Sequence, residues 1–192
     1  YVIRHSAQFL PLALLGFFAG SPFAISVPNG GSWGNWGNIE WCPQGYVAKG
    51  FSLKTEADQG KGDDTAVNGI RLHCFPRLIM LGFFKCVIVK CSSLSSRWGS
   101  WSHPLWCLQG YLLIFTLNVE APQGSGDDTA VNNIKFMCSD GRYLEGNGFS
   151  WGSYGDWSRS CSYGICGILT KVEGKQGDGD DTALNDVQFL CC

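Results

Sequence analysis

Gly62-Asp63-Asp64-Thr65-Ala66-Val67-Asn68 returns as Gly126-Asp127-Asp128-Thr129-Ala130-Val131-Asn132 and again as Gly179-Asp180-Asp181-Thr182-Ala183-Leu184-Asn185. One structural unit is therefore written three times. Working outward, each copy is preceded by a strip whose apolar residues alternate. The three strips are Phe51-Ser52-Leu53-Lys54-Thr55-Glu56, Phe115-Thr116-Leu117-Asn118-Val119-Glu120 and Ile168-Leu169-Thr170-Lys171-Val172-Glu173. Each copy is followed by a second alternating strip, in which Ile70, Leu72 and Cys74 match Ile134, Phe136 and Cys138, and Val187, Phe189 and Cys191. A period of two predicts strands with one buried face, which places Arg71, Lys135 and Gln188 toward solvent. Gly, paired Asp and Thr between two such strands are turn chemistry: Gly accepts positive φ, and the side-chain oxygens take bonds from nearby amides.

Farther upstream of each copy lies a Trp-Gly element: Trp33-Gly34-Asn35-Trp36, Trp98-Gly99-Ser100-Trp101, and the stretch from Trp151 to Trp157. A Trp repeated in every module is expected to plug a shared core, with stacking on sugar rings as the alternative. The repeat is uneven. Gly62 to Gly126 is 64 residues and Gly126 to Gly179 is 53, and the excess falls between Cys74 and Trp98. There the apolar run 78–89 looks foreign to the pattern, so an insert is placed near residues 75–91.

The chain has 192 residues, a net charge of −2, 26 Gly and 8 Trp, and only 16% charged residues. Three modules of about 50 residues must share one core, since units that small bury too little surface alone. The repeats are placed at about 24–74, 92–138 and 139–192 within a single domain, 22–192. The scattered Lys and Arg give no basic field, so no nucleic-acid partner is expected. Residues 1–21 resemble part of a signal peptide: Arg4 and His5 precede an apolar run, and Ala19-Gly20-Ser21 supplies small residues for cleavage. That run is too short to span a bilayer, so no membrane span is expected.

Six of the ten cysteines sit at matching repeat positions (Cys42, Cys74, Cys107, Cys138, Cys161, Cys191), which reads as a disulfide framework in an oxidising compartment. Zinc is disfavoured by the lack of a C-x2-C pair and by three histidines, His5, His73 and His103, at no common repeat position. Asp178-Gly179-Asp180-Asp181 lacks the sixth-position glycine and twelfth-position glutamate of an EF-hand calcium loop. Neither metal nor cofactor is expected. The candidate glycan or loop acids are Asp63, Asp64, Asp127, Asp128, Asp180 and Asp181, with Glu56, Glu120 and Glu173 as a second threefold acidic set.

The threefold Gly-Asp-Asp-Thr-Ala-x-Asn, the Trp-Gly-x-Trp elements, Pro104-Leu105-Trp106-Cys107, Ser139-Asp140-Gly141 and the terminal Cys191-Cys192 together resemble the vitelline membrane outer layer protein 1 family, over roughly residues 24–192. The resemblance implies an all-β fold of the β-prism (type I) class: three Greek-key sheets of four strands around a pseudo-threefold axis. It also implies a secreted, extracellular, monomeric component of an egg vitelline membrane-type coat, meeting glycans or coat glycoproteins. The alternative is a glycosyl-transferring enzyme acting on N-acetylglucosamine oligosaccharides. A disulfide pattern repeating with the modules is expected: Cys42 with Cys74, Cys107 with Cys138, and Cys161 and Cys166 with Cys191 and Cys192 in either order. Cys86 and Cys91 lack repeat counterparts and are left unpaired.

Overall fold

The computed structural model describes residues 23–56, 67–77, 89–93, 95, 99–120, 131–173 and 184–192. Among these residues there are fourteen strands and no helix. An N-terminal group, β1 (Ala24–Ile25), β2 (Asn35–Trp36) and β3 (Glu40–Trp41), leads into the hairpin of β4 (Tyr46–Thr55) and β5 (Val67–Pro76). Next come β6 (Val89–Cys91), β7 (Ser100–Trp101) and β8 (Leu105–Trp106), then the hairpin of β9 (Leu112–Val119) and β10 (Val131–Cys138). The chain continues through β11 (Tyr143–Glu145) and β12 (Ser153–Tyr154) and ends with the hairpin of β13 (Ile165–Val172) and β14 (Leu184–Cys191).

Each predicted strip pair is a long antiparallel hairpin, and each hairpin is the centre of one sheet. The sheet orders are β6-β5-β4-β7, β11-β10-β9-β12 and β1-β14-β13-β2, with β8 also pairing β4 and β3 also pairing β13. In every sheet the strand after the hairpin pairs its second arm and the following element returns to its first arm, which is the Greek-key order. The third sheet obeys the same rule only through the chain ends, because Ala24 and Ile25 pair with Leu190 and Phe189. Equivalence reaches single bonds. Gly37, Ser102 and Gly155 donate backbone N–H to the carbonyls of Thr170, Leu53 and Leu117, and Cys42, Cys107 and Cys161 donate to those of Cys166, Lys49 and Leu113.

The inner faces of the three sheets meet in one core. Phe51, Phe115, Phe136 and Phe189 are fully buried. Their ring centroids lie 4.7 Å apart for Phe51 and Phe136, 4.8 Å for Phe115 and Phe189, and 5.1 Å for Phe136 and Phe189. Tilted and edge-on aromatic pairs at this spacing each add about 0.5–1.5 kcal/mol beyond the area they bury. Four disulfides staple the body: Cys42–Cys74, Cys107–Cys138, Cys161–Cys191 and Cys166–Cys192, with Cα separations of 5.7, 5.8, 5.2 and 5.6 Å. The first three each join one sheet's hairpin to the segment that runs alongside the hairpin of the neighbouring sheet: Cys42, Cys107 and Cys161 bond to the backbones of the third, first and second sheets and bridge to β5, β10 and β14. Bridges closing loops of this size contribute about 2–4 kcal/mol each.

One expectation changes. The tryptophans do not fill the core: Trp33, Trp36, Trp41, Trp151 and Trp157 are all exposed. The phenylalanines of the six long strands already occupy the axis, and the Trp-Gly elements are outer strands whose rings lie on the outside of the sheets. The segment between Cys74 and Trp98 also contributes structure, because Val89–Cys91 is β6, the edge strand of the first sheet, with Cys91 opposite Leu72 and Val89 opposite Cys74. Cys91 holds the inward position that Leu144 and Ile25 take opposite Phe136 and Phe189. It is a buried free thiol, raised by burial first and by Glu40 second to a pKa of about 12. Cys86 lies outside the described residues.

Candidate functional site

The Trp-Gly elements make the same corner three times. Gly34, Gly99 and Gly152 have φ of 86°, 82° and 89°. A Cβ there would stand 2.6, 2.6 and 2.5 Å from the carbonyl oxygens of Val172, Thr55 and Val119. Only glycine fits both the left-handed backbone and the close approach. The corner then places an aromatic residue against the end of the neighbouring hairpin: Trp36 opposite Lys171, Trp101 opposite Lys54 and Tyr154 opposite Asn118. The third element therefore uses Tyr154 where the other two use Trp.

Each ring meets a cation. The Arg71 guanidinium lies 3.8 Å over Trp101, the Lys135 ammonium 3.9 Å over Tyr154, and the Lys171 ammonium 6.0 Å from the centre of Trp36. Arg71 and Lys135, expected in solvent, are half-buried on the outer faces against these rings, and Gln188, at the matching position, is half-buried too. Around Tyr154 the pair becomes a network. Its hydroxyl donates to Glu145 at 2.9 Å, and Lys135 reaches the same carboxylate at 3.3 Å. Burial, followed by the bond and the charge of Glu145, pushes the phenol well above its ordinary range.

At the Gly99 corner the surface opens into a cleft of about 540 Å³, lined by Thr55, Glu56, the stretch 99–102 with Trp101, and Asn147. Three parts of the chain build it. β4 ends there, the Trp-Gly corner forms one wall, and Asn147 comes from the loop after β11. An aromatic ring, a carboxylate, hydroxyls and a carboxamide share this space, the combination that stacks on a sugar ring and bonds its hydroxyls. Glu56 is the one carboxylate among the described residues that line it.

Asp63, Asp64, Asp127, Asp128, Asp180 and Asp181 all lie outside the described residues. The described chain reaches Glu56, Glu120 and Glu173, just past the ends of β4, β9 and β13. The motif asparagines, Asn68, Asn132 and Asn185, are the second residues of the returning strands β5, β10 and β14, and all are buried. Sequence alone singled out Glu56 and Trp101 but missed Asn147, Ser102 and Arg71. Only the position of Arg71 in an alternating strip could have pointed to it.

One pair has the look of catalytic chemistry. Ser52 Oγ and His73 Nε2 are 2.8 Å apart. Both residues are only 2% exposed, and desolvation, with Lys90 and Arg71 nearby, lowers His73 to a pKa of about 4. With Trp106 against its ring at 5.1 Å, His73 is a neutral, covered packing group with no room beside it for a substrate. Among the described residues no group of three or more His, Cys, Asp or Glu stands close enough to hold a metal.

The geometry agrees with what known proteins show. The family model described as "Vitelline membrane outer layer protein I (VOMI)" matches residues 23–192. A Homo sapiens protein named vitelline membrane outer layer protein 1 homolog is 52% identical over 199 residues, covering 97% of this chain and 96% of its own. A Mus musculus protein of the same name is 51% identical over 170 residues, covering 88% and 82%. Among solved structures, an artocarpin–mannopentose complex superposes with a TM-score of 0.52 at 14% identity, over 89% of this chain and 97% of that one. At that identity the likeness is one of fold, the β-prism. With its three Greek-key sheets, its repeated Trp-Gly corners and half its residues shared with these relatives, the chain belongs to the vitelline membrane outer layer protein I family.

Proposed function

We propose that the protein is a secreted, disulfide-stabilised component of an extracellular coat of the vitelline membrane type and that it binds glycans. The cleft at Trp101 and Glu56 carries the second half of this reading, because it joins an aromatic wall to a carboxylate, hydroxyls and an amide at the end of β4. Four disulfides in a body of this size support an oxidising, extracellular setting and a rigid structural role. The artocarpin structure holds mannopentose, which makes glycan binding a use this architecture has been put to; by itself that is analogy between folds.

Binding is favoured over glycosyl transfer by the lining of the cleft. Glycoside chemistry uses two carboxylates at defined separation, and among the described residues Glu56 is the single carboxylate in that lining. A glycan-array screen with the oxidised protein tests the proposal. A defined set of glycans is expected to bind, with Trp101→Ala and Glu56→Gln weakening it while thermal unfolding stays cooperative. An array on which the folded protein binds nothing, or binding untouched by both changes, refutes the cleft.

A further inference from the structure

Trp33-Gly34-Asn35-Trp36 serves the fold as a corner, and its spacing carries a second chemistry. Trp-x-x-Trp is the acceptor pattern for C-mannosylation of exported chains, in which the first tryptophan takes a sugar on a carbon of its own ring. A motif match counts only where the structural context suits the chemistry. Here it does. Trp33 is 59% exposed, more than Trp36, Trp41, Trp151 or Trp157 at 39%, 44%, 49% and 39%. It stands just before β2 rather than in it, so it is no rung of the third sheet. Its backbone is pinned on both sides. Gly31 donates its N–H to the Asn185 carbonyl at 2.6 Å and the Lys171 ammonium donates to the Ser32 carbonyl at 2.6 Å, while Gly34 turns at a φ of 86° against the backbone of Val172. A sugar on a core indole would oppose folding, because close-packed interiors have no room for it. A sugar on Trp33 stands in solvent and leaves the corner intact.

The third repeat supplies a contrast within the same chain. Trp151-Gly152-Ser153-Tyr154 has an exposed first tryptophan and the same glycine corner, but tyrosine where the pattern needs its second tryptophan. We infer that Trp33 is a modification site, carrying one mannose joined by a carbon–carbon bond to C2 of its indole. The inference rests on the secretion proposed above, because the donor, a mannose on a polyprenyl phosphate, is met by a chain entering the secretory lumen. C3 of the indole already bears the side chain, and the ring nitrogen feeds electron density to C2, which makes C2 the nucleophile. The new bond joins C2 to C1 of the mannose. The C1–O bond to the phosphate breaks, its electron pair leaves on the polyprenyl phosphate, and the C2 proton passes to a base of the transferase, which restores the aromatic ring. Nothing is oxidised or reduced. The product sets sugar hydroxyls beside an exposed indole and so makes an apolar corner polar.

Peptide mass spectrometry of the full chain made in mammalian cells tests the inference. The Trp33 peptide of the secreted protein is expected to be about 162 Da heavier than its sequence and to lose about 120 Da by cleavage across the sugar ring, because a carbon–carbon bond does not release the whole hexose. Release of the whole hexose instead places the sugar on an oxygen, with Ser32 the adjacent acceptor, and overturns the inference. Trp36→Ala keeps the acceptor and destroys the spacing, so it should abolish the added mass; a Trp33 peptide still carrying the sugar in that variant overturns the argument. The peptide of the native sequence decides the matter even where the variant fails to fold. Trp151 should remain unmodified, and a hexose there as well shows that exposure rather than spacing selects the acceptor, which also overturns it. Secreted protein with an unmodified Trp33 refutes this inference alone, whereas protein retained in the cytosol refutes the secretion it rests on and the inference with it.

Discussion

Replacing Asp186 by Asn should stabilise the protein at neutral pH and not in acid. Asp186 follows the buried Asn185 just as Asn133 follows Asn132, and the two repeats treat this position alike. Asn133 Oδ1 accepts from the Ile134 N–H at 2.9 Å while its Nδ2 donates to the Gly146 carbonyl at 2.9 Å. Asp186 Oδ1 accepts from the Val187 N–H at 2.8 Å, and Gly30 crowds its carboxylate as Gly146 crowds the Asn133 amide. What an ionised carboxylate lacks is the hydrogen with which Asn133 bonds. Burial raises Asp186 from 3.8 to about 6, against smaller opposing effects of the Val187 bond and of Lys171. A carboxyl raised on folding favours the protonated native state, so its contribution is fully present below about pH 3.8 and is lost as the pH rises through about 6.

A shift of about two units corresponds to about 3 kcal/mol at 1.36 kcal/mol per unit, and because the side chain is only half-buried, screening by solvent reduces this to about 1–2 kcal/mol. Asn removes the charge at nearly constant volume. Guanidinium unfolding with disulfides intact is therefore expected to place Asp186→Asn about 1–2 kcal/mol above the native protein at pH 7.5, with the two converging near pH 3.5. Equal stability at pH 7.5, or a gain of the same size at both pH values, would refute the reasoning.

Two further outcomes follow from the same geometry. Gly99→Ala forces a Cβ into the Thr55 carbonyl at positive φ and should cost about 1–3 kcal/mol, read as a lower unfolding midpoint together with weaker glycan binding through a displaced Trp101; an unchanged midpoint removes the argument for this corner. The Cys91 thiol, buried opposite Leu72 with a pKa of about 12, should resist an aromatic disulfide reagent in the native state at pH 8 and react on unfolding. Rapid labelling of Cys91 in the folded protein, identified by peptide mapping, contradicts its place in the core.

The repeats, the six long strands and their inward residues are all legible in the amino-acid sequence by itself. Gly-Asp-Asp-Thr marks a chain reversal by its own local chemistry, and alternation assigns a face to each side chain within a strand. Ile70, Leu72, Ile134, Phe136, Val187 and Phe189 are accordingly no more than 1% exposed. These are properties of neighbours along the chain. The fate of the tryptophans is not such a property: whether Trp36 or Trp101 is buried depends on which strand its corner pairs with and on what already fills the axis, and four phenylalanines drawn from all three repeats fill it. For the same reason the unpatterned stretch between Cys74 and Trp98 carries no sign that Val89–Cys91 closes the first sheet, since an edge strand of three residues is selected by the partner it meets rather than by its own periodicity. The site divides the same way. Glu56 and Trp101 are visible as members of repeated motifs, but their meeting with Asn147 and the stacking of Arg71 arise between repeats, where differences such as Arg71 against Gln188 acquire meaning only once the three sheets stand side by side.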